Sequence, residues 1–152
     1  MSDPTPHLDH VDQTIVAALR RDGRQSIPAL AEEVGVSRAT AYTRFDRLCD
    51  TGVITGFAAR VDPAAVGLDV TALILITIAQ TEWRDLKDEV AELPHVDWVG
   101  MTTGAFDFVV LVRARDLAEL RDVVLEGLLS LDGIQNAQTV VVLDEAGDLH
   151  LG

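Results

Sequence analysis

Arginine and hydroxyl side chains recur at helical spacing between residues 37 and 47. Guanidinium and hydroxyl groups hydrogen-bond to phosphate oxygens and to base edges, and a single helix fits the major groove of DNA. The pattern therefore predicts double-stranded DNA as a partner. The residues predicted to read bases are Arg38, Thr40, Tyr42 and Thr43, with Ser37 at the start of the helix. The residues predicted to bind phosphate are Arg44, Arg47 and Arg60.

Two short amphipathic helices joined by a glycine turn would position these side chains. Ser26 is the predicted N-cap of the first helix, and Gly35 supplies the positive φ that ends it. Ser37 caps the second helix, which ends at Gly52. The inward apolar residues are Ile27, Leu30, Ala31 and Val34, then Ala41, Phe45 and Leu48. Two helices, a short turn and a basic outer face are the helix-turn-helix pattern.

The segments on either side complete a predicted DNA-binding domain over residues 1–62. A helix over Leu8–Asp22 carries an apolar stripe and forms the third leg of a three-helix core. Val53–Val61 has β-type composition, which predicts either a two-stranded wing or a strand that leaves the domain. Arg60 is either a phosphate contact or a solvated charge on an edge strand. Residues 63–69 are the predicted linker.

The remainder, residues 70–152, predicts a four-stranded sheet with two helices. Two βαβ units follow each other, which is the split, ferredoxin-like βαββαβ arrangement. Helices cover one face of such a sheet, whereas these strands are apolar on both faces. We therefore expect a second copy of the chain on the open face, as a dimer or a larger homo-oligomer. The predicted elements are strands Val70–Ala79, Val96–Thr103, Phe108–Val112 and Gln135–Leu143, a helix over Trp83–Leu93, and a helix that Asp116 caps. The predicted inward residues are Trp83, Leu86, Val90 and Leu93 in the first helix and Leu117, Leu120, Val124, Leu128 and Leu131 in the second.

The turn between residues 101 and 108 interrupts two apolar strands with hydroxyls, a glycine and a carboxylate. Backbone N–H groups freed at Gly104 and Ala105 could bind a ligand carboxylate. The side chains able to bind a ligand ammonium group or to fix the loop are Thr102, Thr103 and Asp107. A simple hairpin, in which the glycine allows the turn and the aspartate caps its own backbone, explains the same residues. Both interpretations stay open.

Charge is distributed unevenly along the chain, whose net charge is −13. Residues 1–62 hold seven arginines against nine acidic residues, whereas residues 63–152 hold five basic residues against sixteen acidic ones. The second half therefore cannot bind nucleic acid electrostatically. Lys87 is the only lysine of the sequence. Because an acid-rich, lysine-poor surface is typical of proteins adapted to high salt, we hypothesise a halophilic source.

Several other classes of protein are disfavoured. The longest apolar run, residues 72–79, is too short to span a bilayer, and no signal pattern opens the chain, so a cytoplasmic protein is expected. Cys49 alone cannot form an internal disulfide. No phosphate-binding glycine loop or nucleophile motif occurs, so we predict no catalytic residue and no cofactor. No metal site is expected, because ligand spacing is lacking at His7, His10, His95 and His150.

The order of the elements and several short motifs resemble the Lrp/AsnC family of feast/famine transcription regulators over residues 8–144. The first helix carries Leu8-Asp9-x-x-Asp12-x-x-Ile15, and the turn carries Leu30-Ala31-x-x-Val34-Gly35-Val36-Ser37. The second domain carries Thr103-Gly104-x-x-Asp107, then Leu131-x-Gly133-Ile134, then Thr139-x-Val141.

The resemblance implies a sequence-specific DNA-binding regulator with a reading helix over Ser37–Asp50 and a RAM-type effector domain. It also implies dimers that associate further, often into octamers. A small effector, usually an amino acid, would lie between dimers near the Gly104 loop. The implied effector-binding residues are Thr102, Thr103, Gly104, Ala105, Asp107 and Thr139.

Two other functions stay open on the sequence. Some proteins of the same two-domain layout resemble sirohaem decarboxylases, which use histidine and arginine around a tetrapyrrole. Here the candidates are His95, Arg113 and Arg115, which are few for such a site. The third possibility is a metabolite-sensing module with vestigial DNA-binding domains. The basic face at Arg38 and Arg44 favours the DNA-binding regulator.

Overall fold

The computed structural model describes residues 7–79 and 83–145. It divides into two compact units, Met1–Arg60 and Val61–Gly152, close to the predicted domain end at residue 62. The first unit is helical, and the second contains a four-stranded sheet with helices. This arrangement confirms the α+β class predicted from the sequence.

Three helices form the first unit: α1 (His10–Arg21), α2 (Ile27–Val34) and α3 (Arg38–Asp50). They pack around one apolar core, in which the fully buried side chains include Ile15, Leu30 and Leu48. The three-helix arrangement predicted from the apolar stripes is therefore confirmed.

The ends of these helices follow the predicted capping residues. The first turn of a helix has backbone N–H groups without internal partners, so a side-chain oxygen at the N-cap stabilises it. Ser26 Oγ accepts a hydrogen bond from the backbone N–H of Ala29, and Ser37 Oγ accepts one from Thr40 at 3.1 Å. Gly35 ends α2 in the left-handed region with φ 76°, which glycine adopts without strain.

The segment after α3 is not the predicted wing. Residues 53–61 contain no strand, although their composition is β-type. Ile54 N donates a hydrogen bond to Leu48 O, and Phe57 stacks on Phe45 with ring centroids 6.2 Å apart. The apolar side chains of this segment thus cover the helical core instead of pairing with another strand.

The second unit contains an antiparallel sheet in the order β2-β3-β1-β4, which is the predicted ferredoxin-like order. A single 3₁₀ turn over Ala64–Val66 precedes it. The elements are β1 (Val70–Ile78), α4 (Trp83–Ala91), β2 (Val96–Met101), β3 (Phe108–Ala114), α5 (Leu117–Asp122) and β4 (Ile134–Val141). After α5 the chain continues through a π turn, Val123–Gly127, and a 3₁₀ turn, Leu128–Ser130.

The two faces of the sheet differ in burial. Ala72, Ile74 and Ile76 of β1 alternate with less buried neighbours and belong to the core with α4 and α5. Leu73 and Leu75 point to the opposite face and are only half-buried. The sheet therefore presents an apolar face that no helix of the described residues covers, as the sequence predicted.

Two details of the predicted helix faces are wrong. Trp83 was predicted to point inward but is exposed, with the guanidinium of Arg84 4.6 Å above its ring. Leu117 was predicted in the core but is 63% exposed, whereas Leu120 and Val123 are buried. The π turn after α5 changes the residue spacing from Val123 onward, so Val123 is more deeply buried than Val124, which an ideal helical period places inward.

Candidate nucleic-acid interface and effector loop

The first half of α3 presents a polar surface to solvent. Tyr42 is 50% exposed, and the other exposed polar side chains there are Ser37, Arg38, Thr40 and Thr43. The opposite side of the same helix is buried at Ala41 and Leu48. Because one side is fixed in the core, the helix offers a defined face on which a guanidinium, a phenol and hydroxyls lie together.

The hydroxyls on this face already have local hydrogen bonds. Ser37 Oγ lies 2.8 Å from Thr40 Oγ1 and caps the helix, so its role in the structure is to start α3. Thr43 Oγ1 donates to Ala39 O at 3.0 Å, which leaves its lone pairs and its methyl group for a ligand. Arg38 carries the positive charge of this half of the helix.

The next two arginines of α3 turn toward α1 rather than outward. Arg44 Nη1 donates to Asp9 Oδ2 at 2.6 Å and to Asp12 Oδ1 at 2.9 Å. Arg47 Nη2 donates to the other carboxylate oxygen of Asp12. The predicted role of Arg44 and Arg47 was phosphate binding, but in this structure both guanidiniums hold α3 against the start of α1.

Burial makes this ion-pair cluster, Asp9, Asp12, Arg44 and Arg47, a fixed part of the domain. Asp12 is only 1% exposed, and each of its oxygens accepts from an arginine. Its burial raises the pKa, yet hydrogen bonds from Arg47 and Arg44 outweigh that effect and lower the pKa overall. The hydrogen bond from Arg44 is the largest cause that lowers the pKa of Asp9 to about 2. Both carboxyls are therefore ionised at neutral pH.

A sequence signal for this cluster existed. Asp9 and Asp12 have the spacing of a capping box, and the structure places both reciprocal hydrogen bonds there. The sequence does not indicate that their remaining oxygens face α3, because that depends on how the helices pack.

Arg60 lies at the end of the irregular segment, not on an edge strand. Its side chain is exposed and belongs to the last residue of the first unit. Its predicted contact with phosphate stays a prediction.

The loop between β2 and β3 is fixed by hydrogen bonds at both ends. Asp107 donates its backbone N–H to Ile76 O, and its Oδ2 accepts from Ile78 N at 2.9 Å. Thr102 Oγ1 donates to Phe106 O at 2.7 Å. These contacts support the interpretation that Thr102 and Asp107 fix the loop. At its exposed tip lie Thr103, Gly104 and Ala105.

Thr139 lies away from this loop. Thr139 is on β4, where it pairs with Ile74 of β1, and β1 separates β4 from the hairpin of β2 and β3. Its side chain lines a groove of about 260 Å³ with Leu120, Val124 and other residues of α5 and the π turn. The structure thus does not bring Thr139 together with the other predicted effector residues within one chain.

The residues considered for a tetrapyrrole site are each engaged by a carboxylate. Glu119 Oε1 lies 2.6 Å from Arg115 and 3.3 Å from His95 Nε2, and Arg113 pairs with Asp97 at 2.6 Å. Among residues 7–79 and 83–145, no group of three histidine, cysteine or acidic side chains is placed to hold a metal ion. No helix in this same part of the chain is long and apolar enough to cross a membrane.

Comparison with known proteins decides the family. The model of the AsnC-type helix-turn-helix domain matches residues 8–48, and that of the Lrp/AsnC ligand-binding domain matches residues 71–148. The chain belongs to the Lrp/AsnC family.

Individual relatives agree with this assignment. An uncharacterised HTH-type transcriptional regulator of Pyrococcus abyssi is 36% identical over 135 residues, covering 89% of this chain and 85% of the relative. The proline dehydrogenase transcriptional activator of Rhizobium radiobacter is 36% identical over 145 residues, or 93% of each chain. A transcriptional regulator of Neisseria meningitidis, solved with L-Met, has a TM-score of 0.84 and 29% identity, covering 93% and 94% of the two chains.

These findings establish the function at a coarse level. This Lrp/AsnC chain is a DNA-binding transcriptional regulator with a ligand-binding domain, and it is not an enzyme. The decarboxylase-like alternative is therefore set aside. The halophilic source stays a prediction.

Proposed function

We propose that this regulator reads DNA with the first half of α3 and responds to an amino acid or a related small metabolite bound by its second unit. The observation that supports DNA reading is the exposed face of Arg38, Thr40, Tyr42 and Thr43 on a helix whose other side is buried. In helix-turn-helix proteins the first residues of the recognition helix contact base edges. Arg38 is the residue we expect to contribute most, because a guanidinium can bind guanine through two hydrogen bonds.

Reading by two copies of α3 requires a dimer. Two recognition helices of a dimer enter successive major grooves about 34 Å apart, so the operator would be close to palindromic. The apolar face of the sheet supports this assembly, since Leu73, Leu75 and Val109 are left half-buried and Val140 is 41% exposed. Arg113 on the same face has a buried Nε without a hydrogen-bond partner in the described chain. Tetramers or octamers would add further DNA contacts through avidity.

The proposed effector site is the exposed tip of the β2–β3 loop. Gly104 has φ 122°, and an added Cβ would find no atom within 4 Å, so the backbone there is accessible. Backbone N–H groups at Gly104 and Ala105 would bind the ligand carboxylate, and the hydroxyl of Thr103 would bind its ammonium group. Asp107 and Thr102 would act by holding the loop. The L-Met complex of the Neisseria relative supports an amino acid as the ligand class.

Thr139 fits this site only if another copy of the chain supplies it. Because β1 lies between β4 and the hairpin, the two cannot meet within one chain. Binding between dimers would couple effector concentration to assembly, and a ligand that favours one assembly shifts the population toward it. The proposed response is thus a change in how many DNA-binding units act together.

Selection from genomic DNA tests the proposal directly. The purified protein is mixed with sheared genomic DNA, with and without a mixture of L-amino acids, and the bound fragments are sequenced. We expect a small set of enriched fragments that changes with amino acids. Arg38→Ala should abolish enrichment, whereas Arg20→Ala, an exposed arginine on α1, should retain it. Enrichment by Arg38→Ala equal to wild type would overturn the assignment of α3.

A further inference from the structure

Two acidic residues at the start of α1, the N-cap Asp9 and Asp12, bind two arginines of α3. We infer that Asp9 and Asp12 determine specificity, because by binding Arg44 and Arg47 they keep two guanidiniums off the DNA backbone and limit binding to DNA of arbitrary sequence. They are positioning residues that act through the arginines. This inference rests on the proposed role of α3 as the DNA-reading helix.

Arg47 is the clearest case of a withheld arginine. It lies one helical turn after Thr43, so the two side chains share a face of α3. Its side chain is 51% exposed, and its guanidinium bonds to Asp12, which is buried. If that carboxylate lost its charge, Arg47 could turn outward without any change in the backbone of α3.

Arg44 is held more firmly than Arg47. Its side chain is 27% exposed and binds one oxygen of each aspartate. Loss of either carboxylate leaves the other in place, so its release requires both to be neutralised. The cluster therefore predicts a graded response. Neutralising Asp12 releases Arg47, and neutralising both Asp9 and Asp12 also releases Arg44.

The physical consequence concerns phosphate contacts. Arginine–phosphate contacts supply nearly all of the sequence-independent affinity for DNA, whereas base contacts supply the discrimination. Arg38, Thr40, Tyr42 and Thr43 lie in the first half of α3, and Arg44 and Arg47 lie in its second half. Withholding the second pair leaves base reading intact and lowers the affinity for unrelated sequences.

The test uses the salt dependence of binding to a fluorescent duplex of random sequence, measured by anisotropy with the full chain. Asp12→Asn keeps the shape of the side chain but removes its charge. We expect the slope of log K against log salt to become steeper by about 0.9 for Asp12→Asn and by about 1.8 for the double variant Asp9→Asn/Asp12→Asn. A fourfold rise in salt would then weaken binding about 3.5-fold more than in wild type for Asp12→Asn and about 12-fold more for the double variant. A merely structural role would not steepen this slope.

The matched control is Glu33→Gln, which removes the same charge and releases Arg21, whose hydrogen bond to Glu33 is 2.6 Å. We expect the slope for Glu33→Gln to equal that of wild type, because Arg21 belongs to the last turn of α1 and not to the proposed DNA-reading helix α3. Circular dichroism at each salt concentration checks that every variant is folded. If Asp12→Asn loses fold, Arg47→Ala in the wild-type background replaces it, and we expect an unchanged slope there.

The inference would be overturned by a folded Asp12→Asn or double variant with the slope of wild type, or by an equal steepening in Glu33→Gln. A flatter slope for Arg47→Ala would also do so, since it would mean that Arg47 already contacts phosphate. Failure of the proposed function can be told apart from failure of this inference, because Arg38→Ala would then enrich genomic fragments as wild type does. Loss of enrichment by Arg38→Ala with unchanged slopes for the aspartate variants would refute this inference alone.

Discussion

Arg44 Nη1 lies 2.9 Å from Oδ1 of Asp12, although 32 residues separate the two along the chain. This contact joins the helix that carries the predicted DNA-binding face to the first turn of α1. Asp12 also belongs to the capping box of α1, so one carboxylate starts one helix and orients another. The position of α3 therefore depends on a charge outside the helix-turn-helix motif itself.

Asp12→Ala should strongly destabilise the first unit. Removing Asp12 leaves Arg47 without its partner and Arg44 with Asp9 alone, and loss of one partner of a buried ion pair costs about 3 kcal/mol at the lower end of the usual range. The lower end applies because Arg44 and Arg47 keep access to water. Urea unfolding followed by circular dichroism measures this change. Asp46→Ala, an exposed acidic residue of α3, should stay within about 0.5 kcal/mol of wild type, and an equal loss in both variants would contradict the prediction.

The first unit should become less stable as pH falls from about 4 toward 2. The pKa of Asp9 is lowered from 3.8 to about 2, mainly by the hydrogen bond from Arg44. A carboxyl with a lowered pKa stabilises the folded state above its unfolded value and loses that effect as pH falls through its folded value. The contribution is thus complete above about pH 4 and disappears toward pH 2.

Urea midpoints measured across this pH window in wild type and Asp9→Asn check the prediction. Asparagine is an equally good N-cap, so the variant removes the titration without removing the cap. We expect a shallower pH dependence in Asp9→Asn. Parallel curves for the two proteins would mean that the ion pair does not contribute.

Local signals predicted more than long-range ones in this chain. Ser26, Gly35 and Ser37 end or begin helices through contacts within a few residues, and all three were correctly assigned. The direction of the Arg44 side chain depends on its contact with Asp9, which lies 35 residues earlier in the chain. Helical spacing within α3 alone could not predict that direction. The wing failed for a similar reason. Phe57 has β-type neighbours, but the structure uses it to cover Phe45.

The β2–β3 loop was predictable only in part. The glycine and hydroxyl pattern located the turn, but the sequence left the role of Asp107 open. The structure assigns one of its oxygens to Ile78 N. Thr139 was attached to the loop by family resemblance, and a separation of strands in space is not visible in the order of motifs.

Leu75→Asp should prevent assembly of the proposed dimer. Leu75 lies on the central strand β1 and points to the uncovered face, so two carboxylates would be buried without partners in each dimer. Sedimentation velocity at micromolar concentration should give a dimer or larger species for wild type and a folded monomer for the variant. Leu117→Asp, at an exposed position of α5, should sediment like wild type. A monomeric wild type, or an oligomeric Leu75→Asp, would contradict the interface.

Gly104→Val should weaken amino-acid binding without unfolding the chain. Gly104 has φ 122°, which a β-branched residue adopts only with strain of about 1–3 kcal/mol, so the loop tip must rearrange. Isothermal titration with a panel of L-amino acids that includes L-Met measures the effect. We expect the best wild-type ligand to bind about tenfold more weakly, since the range of that cost includes the about 1.4 kcal/mol that corresponds to one decade in affinity. Gly67→Val is the matched control, because Gly67 also has positive φ and open space but lies in the turn before β1. Equal weakening in both variants, or no heat of binding in wild type with any amino acid, would count against the loop as the effector site.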